Sequence, residues 1–320
     1  MNEIHALPGL DRVPLGRSGI QIPPLGVGTW QWGDRIWWQY GGRYGDEEIH
    51  AAYNAAVSRG VRLFDTAEIY GLGKSERLLG ELSRDDHEVL IATKFFPFPW
   101  RLRSDAMSRA LAGSLRRLGH NHVDLYQVHW PLPPMPLERW MDGLVRALDA
   151  GLTRAVGVSN FNQRQMARAV QRLQAGGAVL ASNQISYSLL NRTPENNGVL
   201  ACSQALGVTV IAYSPLAMGM LSGKYSEEHP PPGMRRRRFP PARLRAIVPL
   251  ISALREIGGK RRRTPSQVAL NWVICKGAIP IPGAKNAMQA EENAGALGWR
   301  LSADEMAELD ALSERFGEPR

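Results

Sequence analysis

Cysteine is scarce: the 320 residues hold two, Cys202 and Cys275, far apart in the chain. They form neither a Cys-x-x-Cys pair nor a zinc-ligand spacing. That argues against a disulfide framework or a thiolate metal site and suits a reducing cytoplasm; no metal is expected. Long hydrophobic runs are also missing. None approaches the roughly 18 apolar residues that a membrane span requires. The opening stretch "MNEIHALPGLDRVPLG" has no basic start followed by an apolar core, so no secretory leader is expected. A third absence is the G-x-G-x-x-G turn of dinucleotide-binding open sheets: "LGVGTWQWG" carries glycines at other spacings, and no helix opens behind it. Acidic residues are the minority sign, 30 against 39 Lys and Arg, for a formal charge of +9. Such an excess can serve nucleic acid, membrane or an anionic ligand. Much of it sits in two short runs, "RRRR" at 235–238 and "KRRR" at 260–263, with no interleaved aromatics. Solvated loops and helix ends account for them, with a share in attracting a phosphorylated ligand; nucleic-acid and membrane binding are not expected.

Hydrophobic residues make up 44% of the chain, enough for a sizeable core. Short β-rich runs alternate with longer amphipathic segments. The runs are 22–29, 61–65, 88–94, 123–129, 153–159, 180–186, 208–214 and 278–283. Between them lie helical candidates: 46–60, which has apolar i, i+3, i+4 spacing and stops at Gly60, then 75–83, 104–119, 136–151, 162–177, 193–207 and 264–277. The last two open on Thr-Pro, a cap followed by a proline in the first turn, and several others stop at Gly. Eight strand–helix units with near-continuous apolar strands predict a parallel sheet, and at about 300 residues they predict a closed α/β barrel, the (β/α)8 TIM barrel. An open doubly wound sheet is weakened by the missing glycine fingerprint. The stretch "RVPLGRSGIQIPPLG" predicts an N-terminal β-hairpin across the barrel floor, and 221–245 reads as a Pro- and Arg-rich insertion in the seventh strand–helix loop. With no linker in sight, one domain over 1–320 is expected.

The run "RLFDTAEIYG" (62–71) poses the functional question, because it breaks from apolar residues into an aspartate and, five residues on, a tyrosine. In a barrel the reactive face lies at the C-terminal ends of the strands. The residues predicted there are Asp65 and Tyr70, Lys94, His129, Ser159 and Asn160, Asn183 and Gln184, and Tyr213 and Ser214. Singly, each has an ordinary explanation: a helix cap, a half-buried tyrosine, a solvated lysine, a satisfied core histidine. Four titratable groups on successive strands of one face are harder to ascribe to chance. A tyrosine is a reluctant acid at neutral pH, a neighbouring ammonium lowers its pKa, and an aspartate keeps that ammonium charged. A histidine across the pocket orients a carbonyl oxygen. Together they form a device for protonating a carbonyl oxygen as it becomes an alkoxide, and the hydride must then come from a cofactor.

With these residues the sequence resembles the aldo-keto reductase family along nearly its whole length. "FDTAEIYGLGKSERLLG", "IATK" and "VDLYQVHWP" match the catalytic segments; "AVGVSNF", "NQISYSLLNR", "IAYSPLAMGMLSGKY" and "IPIPGAKNAMQAEEN" match the cofactor segments. The layout is similar to plant-chloroplast and bacterial members, some of which reduce pyridoxal. The resemblance implies NADPH-dependent reduction of aldehydes or ketones, with Tyr70 as general acid, Lys94 and Asp65 as its tuning pair and His129 as substrate orienter. Carried over by motif, Ser159, Asn160 and Gln184 hold the carboxamide and Tyr213 stacks on the nicotinamide. Ser214, Pro215, Leu216, Gly283, Lys285, Gln289, Glu292 and Asn293 line the pyrophosphate and adenosine side, with Gly28, Thr29 and Trp30 along the cleft. Gln289 departs from the pattern, since many members place there an arginine that grips the 2′-phosphate. Lys285 and the arginines at 235–238 are the available replacements, so NADPH is favoured and NADH is possible. Trp30, Trp32 and Trp130 are the expected substrate-pocket residues, with Trp37 and Trp38 as further candidates for an aromatic wall; the alternative is that some of them pack the first loop onto the rim. A small carbonyl compound and a monomer are expected. Competing readings are a non-catalytic NADPH-sensing regulatory subunit on the same scaffold, a Schiff-base aldolase using Lys94, and nucleic-acid binding through the basic runs.

Overall fold

The structure, a computed structural model, describes residues 12–316. The first eleven residues, which carry most of the stretch read for a leader, lie outside the described residues, as does the end of the expected 1–320 domain. Strands β1 (Val13–Pro14) and β2 (Gln21–Ile22) pair antiparallel as the expected hairpin. Eight strands follow: β3 (Gly26–Gly28), β4 (Leu63–Asp65), β5 (Leu90–Phe95), β6 (Val123–Val128), β7 (Thr153–Ser159), β8 (Leu180–Ser186), β9 (Thr209–Tyr213) and β10 (Ile279–Ile281). Each is parallel to its neighbour in sequence order. A parallel bridge between Gly28 and Gly283 joins the last strand to the first, with the Gly28 amide donating to the Pro282 carbonyl at 3.0 Å. This is the predicted (β/α)8 barrel. The 22–29 run divides between hairpin and barrel because Pro23 and Pro24 have no amide to give to a ladder.

The helices are α1 (Asp46–Ser58), α2 (Lys74–Ser83), α3 (Ala106–Leu118), α4 (Leu137–Asp149), α5 (Gln163–Ala175), α6 (Thr193–Asn196), α7 (Val199–Leu206), α8 (Arg235–Arg238), α9 (Pro241–Arg261), α10 (Pro265–Cys275), α11 (Ala287–Ala294) and α12 (Ala303–Ser313). Thr264 caps α10 as predicted, its hydroxyl accepting from the Gln267 amide at 3.3 Å. The 193–207 segment instead breaks into two pieces at Gly198, whose φ of 72° no helix admits. The largest departure is α9. Its 21 residues absorb the end of the expected 221–245 insertion and the first half of "KRRR". Pro249 lies inside it, yet Leu244, Ile247, Ile251 and Leu254 keep helical spacing on the buried face, and that burial outweighs the proline. The second basic run is thus a helix end, with Lys260 paired to Glu256 and Arg261 to Glu305.

Period-two alternation along the strands builds the barrel interior in layers. The lower layer holds Leu63, Ala92, Leu125, Ala155, Ala181, Ile211 and Ile279, and the hairpin residues Leu15, Ile20 and Ile22 plug it from below. Gly16 makes the plug fit: at φ 55° it lies so close that a Cβ would be 2.5 Å from the Ala181 carbonyl oxygen. Two residues further along five of these strands the side chains change character, to Asp65, Lys94, Gln127, Gly157 and Tyr213. A shift in the register between β7 and β8 lets Ala181 join the floor while Gln184 still enters this upper layer.

Candidate active site

Lys94 is the centre of the upper layer and is fully buried. Its ammonium donates to an Asp65 carboxylate oxygen, to the Thr66 carbonyl at 2.8 Å and to the Tyr70 hydroxyl oxygen at 3.3 Å. All three ammonium hydrogens are therefore used, and the tyrosine keeps its own proton for another acceptor. Asp65 is held in turn by Gln127 Nε2 at 3.1 Å and Gln184 Nε2 at 2.8 Å. Gln127 fits because its neighbour on β7 is Gly157, where a Cβ would lie 2.3 Å from Ser182 Oγ and 3.1 Å from Gln127 Cγ.

Tyr70 reaches Lys94 from the loop after β4. Gly71, Leu72 and Gly73 follow it at φ of 53°, 53° and 84°, a left-handed turn that folds the chain back into α2. Gly71 is required twice over, because a Cβ there would lie 2.7 Å from the Gly33 carbonyl oxygen. His129, just past β6, meets the Tyr70 ring edge-on with centroids 5.8 Å apart. Burial raises the pKa of Tyr70; Lys94 opposes that and Asp65 adds to it. This corrects the expected net lowering: the ammonium pulls as predicted, but desolvation is larger, and the phenol stays protonated. Burial works to lower Lys94, but Asp65 and Tyr70 outweigh it and the ammonium is held charged. Burial and the nearby Lys94 charge push His129 well below the ordinary histidine value, so it is neutral. A charged lysine committed to three acceptors lacks the free lone pair a Schiff-base nucleophile needs.

Above these groups opens a cleft of about 410 Å³ running toward β10. At its inner end Ser159 donates to the Gln184 carbonyl at 2.8 Å, and Asn160 donates to the His129 carbonyl at 3.2 Å and accepts from the Tyr213 hydroxyl at 3.0 Å. Asn160 and Ser214 stand at φ of 62° and 52°, so both strand ends turn sharply away from the barrel there. At its outer end Lys285 lies 5.0 Å from the ring centroids of Trp38 and of Tyr44. Arg235 lies 5.3 Å from the ring centroid of Trp38 and donates to the Met218 carbonyl at 3.2 Å. Burial, with the charges of Arg235, Lys224 and Arg43, brings Lys285 down to about 8. These four cations form an anion-attracting lobe.

The cleft is lined by Gly28, Trp30, Asp65, Tyr70, His129, Trp130, Ser159, Asn160, Gln184 and Tyr213, and on the far side by Ser214, Pro215, Leu216, Gly283, Lys285, Gln289, Glu292 and Asn293. Four expected residues fall elsewhere. Lys94 lies beneath the cleft, under Asp65 and Tyr70. Thr29 turns inward to the Asp65 carbonyl, at 3.0 Å, and to Ser75. Trp32 is a core residue, fully buried against Phe64 with its indole N–H on the Ala284 carbonyl at 2.9 Å. Asn183, one residue out of phase with Gln184, faces the helices and donates to the Phe161 carbonyl at 3.0 Å. The basic runs separate, since Arg235 of the first enters the cleft. Gln289 accepts from the Lys285 amide at 3.0 Å, so its side chain is used locally. Sequence reading missed Gln127, which strand parity with His129 marks, and Lys224 and Tyr225, which carry no pattern.

A closed eight-stranded barrel with this cleft and this Asp–Tyr–Lys–His group at its base is that of an NAD(P)H-dependent oxidoreductase. The chain belongs to the Aldo/keto reductase family, whose profile matches residues 24–314. It is 41% identical over 306 residues to the chloroplastic pyridoxal reductase of Arabidopsis thaliana, covering 91% of this chain and 83% of that one. An uncharacterised oxidoreductase of Mycobacterium tuberculosis is 40% identical over 303 residues, covering 92% and 91% of the two chains. Among solved structures, an aldo-keto reductase of Klebsiella pneumoniae in complex with NADPH superposes with a TM-score of 0.77 at 29% identity, covering 97% of this chain and 96% of that one. The cleft's donor set fits a nicotinamide dinucleotide phosphate such as that neighbour binds: amide and hydroxyl groups at the inner end, cations with stacking rings at the outer. No described helix is long and apolar enough to cross a membrane.

Proposed function

We propose that the protein reduces an aldehyde or ketone to the alcohol, with Tyr70 as the general acid. The observation that carries this reading is the Lys94 ammonium: its hydrogens are used by Asp65, Thr66 and Tyr70, and the phenol proton is left for the cleft. Bound NADPH supplies the hydride. Tyr70 protonates the substrate oxygen as it becomes an alkoxide, and Lys94 stabilises the phenolate left behind. Asp65 keeps Lys94 charged and in place. His129, neutral, directs the substrate oxygen toward Tyr70. Ser159, Asn160 and Gln184 bind the carboxamide, and Tyr213 packs on the nicotinamide. Ser214, Pro215, Leu216, Gly283, Glu292 and Asn293 enclose the pyrophosphate and adenosine. Lys285 and Arg235 take the 2′-phosphate in place of an arginine at 289. A monomeric cytoplasmic enzyme acting on a small carbonyl compound completes the reading, and the relative named above makes pyridoxal one compound to test.

The test follows NADPH oxidation with an activated aromatic aldehyde and with pyridoxal, comparing the native chain with Tyr70→Phe and repeating with NADH. The expected result is turnover that falls by about 10²–10⁴-fold in the variant, with NADPH binding retained. Tight NADPH binding with no turnover across an aldehyde panel would support the sensing subunit instead.

A further inference from the structure

The backbone ladder between β4 and β5 gives out just where the reacting groups begin. The Thr66 amide donates to the Ala92 carbonyl at 2.8 Å, but the Glu68 amide reaches the Lys94 carbonyl only at 3.5 Å. From there two carboxylates take over. Glu68, just before Tyr70, accepts from the Phe96 amide, past the end of β5, at 2.7 Å. Glu76, in the first turn of α2 after Tyr70, accepts from the Thr93 hydroxyl, inside β5, at 2.7 Å. The two cross-links land on residues 93 and 96, on either side of Lys94.

Each carboxylate is matched by an arginine. Arg101 donates to Glu68 at 2.5 and 2.9 Å, and Arg117 to Glu76 at 2.6 Å. Glu76 is fully buried and Glu68 nearly so, while both arginines reach solvent. Arg117 also wedges the turn after Tyr70, since a Cβ on Gly73 would lie 2.6 Å from its Cδ. Arg101 has a second hold, on the Phe96 carbonyl at 2.9 Å, and the Phe96 ring meets that of His129 with centroids 5.7 Å apart. On the β4 side the start of α2 is fixed by Ser75, whose hydroxyl donates to the Thr29 carbonyl at 3.0 Å and lies 2.9 Å from the Thr66 hydroxyl. Stability does not call for two such pairs, because a buried ion pair can often be replaced by apolar residues without loss. Nor do they act on Tyr70 through charge: the charges that bear on it are those of Lys94 and Asp65. What the pairs fix is place. They hold the segment that carries Tyr70 against the strand that carries Lys94, on both sides of a contact 3.3 Å long.

We propose that Glu68 and Glu76 are positioning residues for carbonyl reduction: with Arg101 and Arg117 they set the distance between the Tyr70 hydroxyl and the Lys94 ammonium. Neither carboxylate lines the cleft, so each acts through that pair of groups. A longer contact leaves the phenolate less stabilised and the phenol a weaker acid. This inference rests on the reduction proposed above and adds the residues that tune its acid.

The test cuts one cross-link at a time. Thr93→Val removes a hydroxyl and leaves the Glu76–Arg117 pair, and Glu68→Leu releases an arginine that already reaches solvent. Arg154→Met is the comparison: Arg154 pairs with Asp124, which holds the Ile91 amide at 2.8 Å near the opposite end of β5. The titratable groups that face Tyr70, namely Lys94, Asp65, His129 and Tyr213, are the same in all three variants. Turnover of an activated aromatic aldehyde with NADPH is followed against pH, alongside NADPH binding and thermal unfolding. Tyr70 is also titrated directly by NMR of protein labelled with [13Cζ]tyrosine, its signal assigned by its loss in Tyr70→Phe; the shift reports both ionisation and the Lys94 hydrogen bond. Thr93→Val and Glu68→Leu are each expected to lower kcat about tenfold and to move the alkaline limb and the Tyr70 titration together to higher pH by about one unit. The aldehyde KM and the NADPH dissociation constant should stay within about twofold. Arg154→Met is expected to lower the melting temperature alone. A Tyr70 signal and titration unmoved in either cross-link variant overturns the inference, and turnover by the native chain then leaves the reductase reading intact. A titration that moves in both variants while the native chain turns over no aldehyde would keep the positioning of Tyr70 and overturn the reductase reading.

Discussion

Lys94 approaches Tyr70 from below, its ammonium 3.3 Å from the phenol oxygen and 4.9 Å from the ring centroid, and its side chain is fully buried. A cation so placed stabilises the phenolate without taking the phenol's proton. Asp65 is the carboxylate that neutralises it, beside the Thr66 carbonyl and the Tyr70 hydroxyl, and that makes Asp65→Asn informative. Removing one charge of a buried pair leaves the other uncompensated. We expect stability to fall by about 3 kcal/mol and kcat by at least about tenfold, read by denaturant unfolding and by turnover. A variant as stable and active as the native chain would show that the pair does not set the site.

Gln127 holds the other oxygen of Asp65. In Gln127→Leu that donor is lost and more of the Asp65 charge bears on Tyr70, whose pKa Asp65 already raises. Tyr70 becomes a weaker acid. The expected outcome is a fall of about tenfold in kcat, an alkaline limb of the rate profile displaced to higher pH, and an unchanged NADPH dissociation constant. A purely structural role would lower the melting temperature and leave the limb where it was.

Burial, with the charges of Arg235, Lys224 and Arg43, brings the Lys285 pKa down to about 8. Its charged form favours the 2′-phosphate, so the added affinity is complete below that pH and declines as pH rises above it. NADPH titrations between about pH 7 and 9.5 should show this decline, while Lys285→Met should flatten it and Arg235→Ala should reduce NADPH affinity more than NADH affinity. Equal losses for the two nucleotides would move the cation lobe to the pyrophosphate.

Gly80 tests the packing that supports Tyr70 from outside the cleft. It lies in α2, where a Cβ would be 2.0 Å from the Leu118 carbonyl oxygen at the end of α3. Alanine would gain helix propensity of about 1 kcal/mol, but the backbone contact forces the helices apart. Gly80→Ala should therefore destabilise the protein by about 2–3 kcal/mol in a denaturant titration. A stabilised variant would mean that the helix pair separates easily.

Much of this architecture is written in the chain because strands and helices have periods that sequence can carry. The apolar runs ending in Asp65, Lys94 and His129 mark their strands and put those groups at one end of them. The spacing of α1 and the Thr264 cap of α10 are equally local. Legibility fails where local signals compete: Pro249 argues against a continuous α9, and only the burial of Leu244, Ile247 and Leu254 settles it.

What the sequence determined by itself was the alternation of strand and helix, and hence the barrel and the set of polar residues at its mouth. Tertiary structure alone decided which of them meet. Trp32 and Trp38 stand in the same tryptophan-rich segment, yet one is core beneath Ala284 and the other lies between Lys285 and Arg235. Asn183 and Gln184 are adjacent, and strand parity sends one to the helices and the other to Asp65. Even the direction of the Tyr70 shift depended on burial, a sum over every neighbour that no local stretch contains.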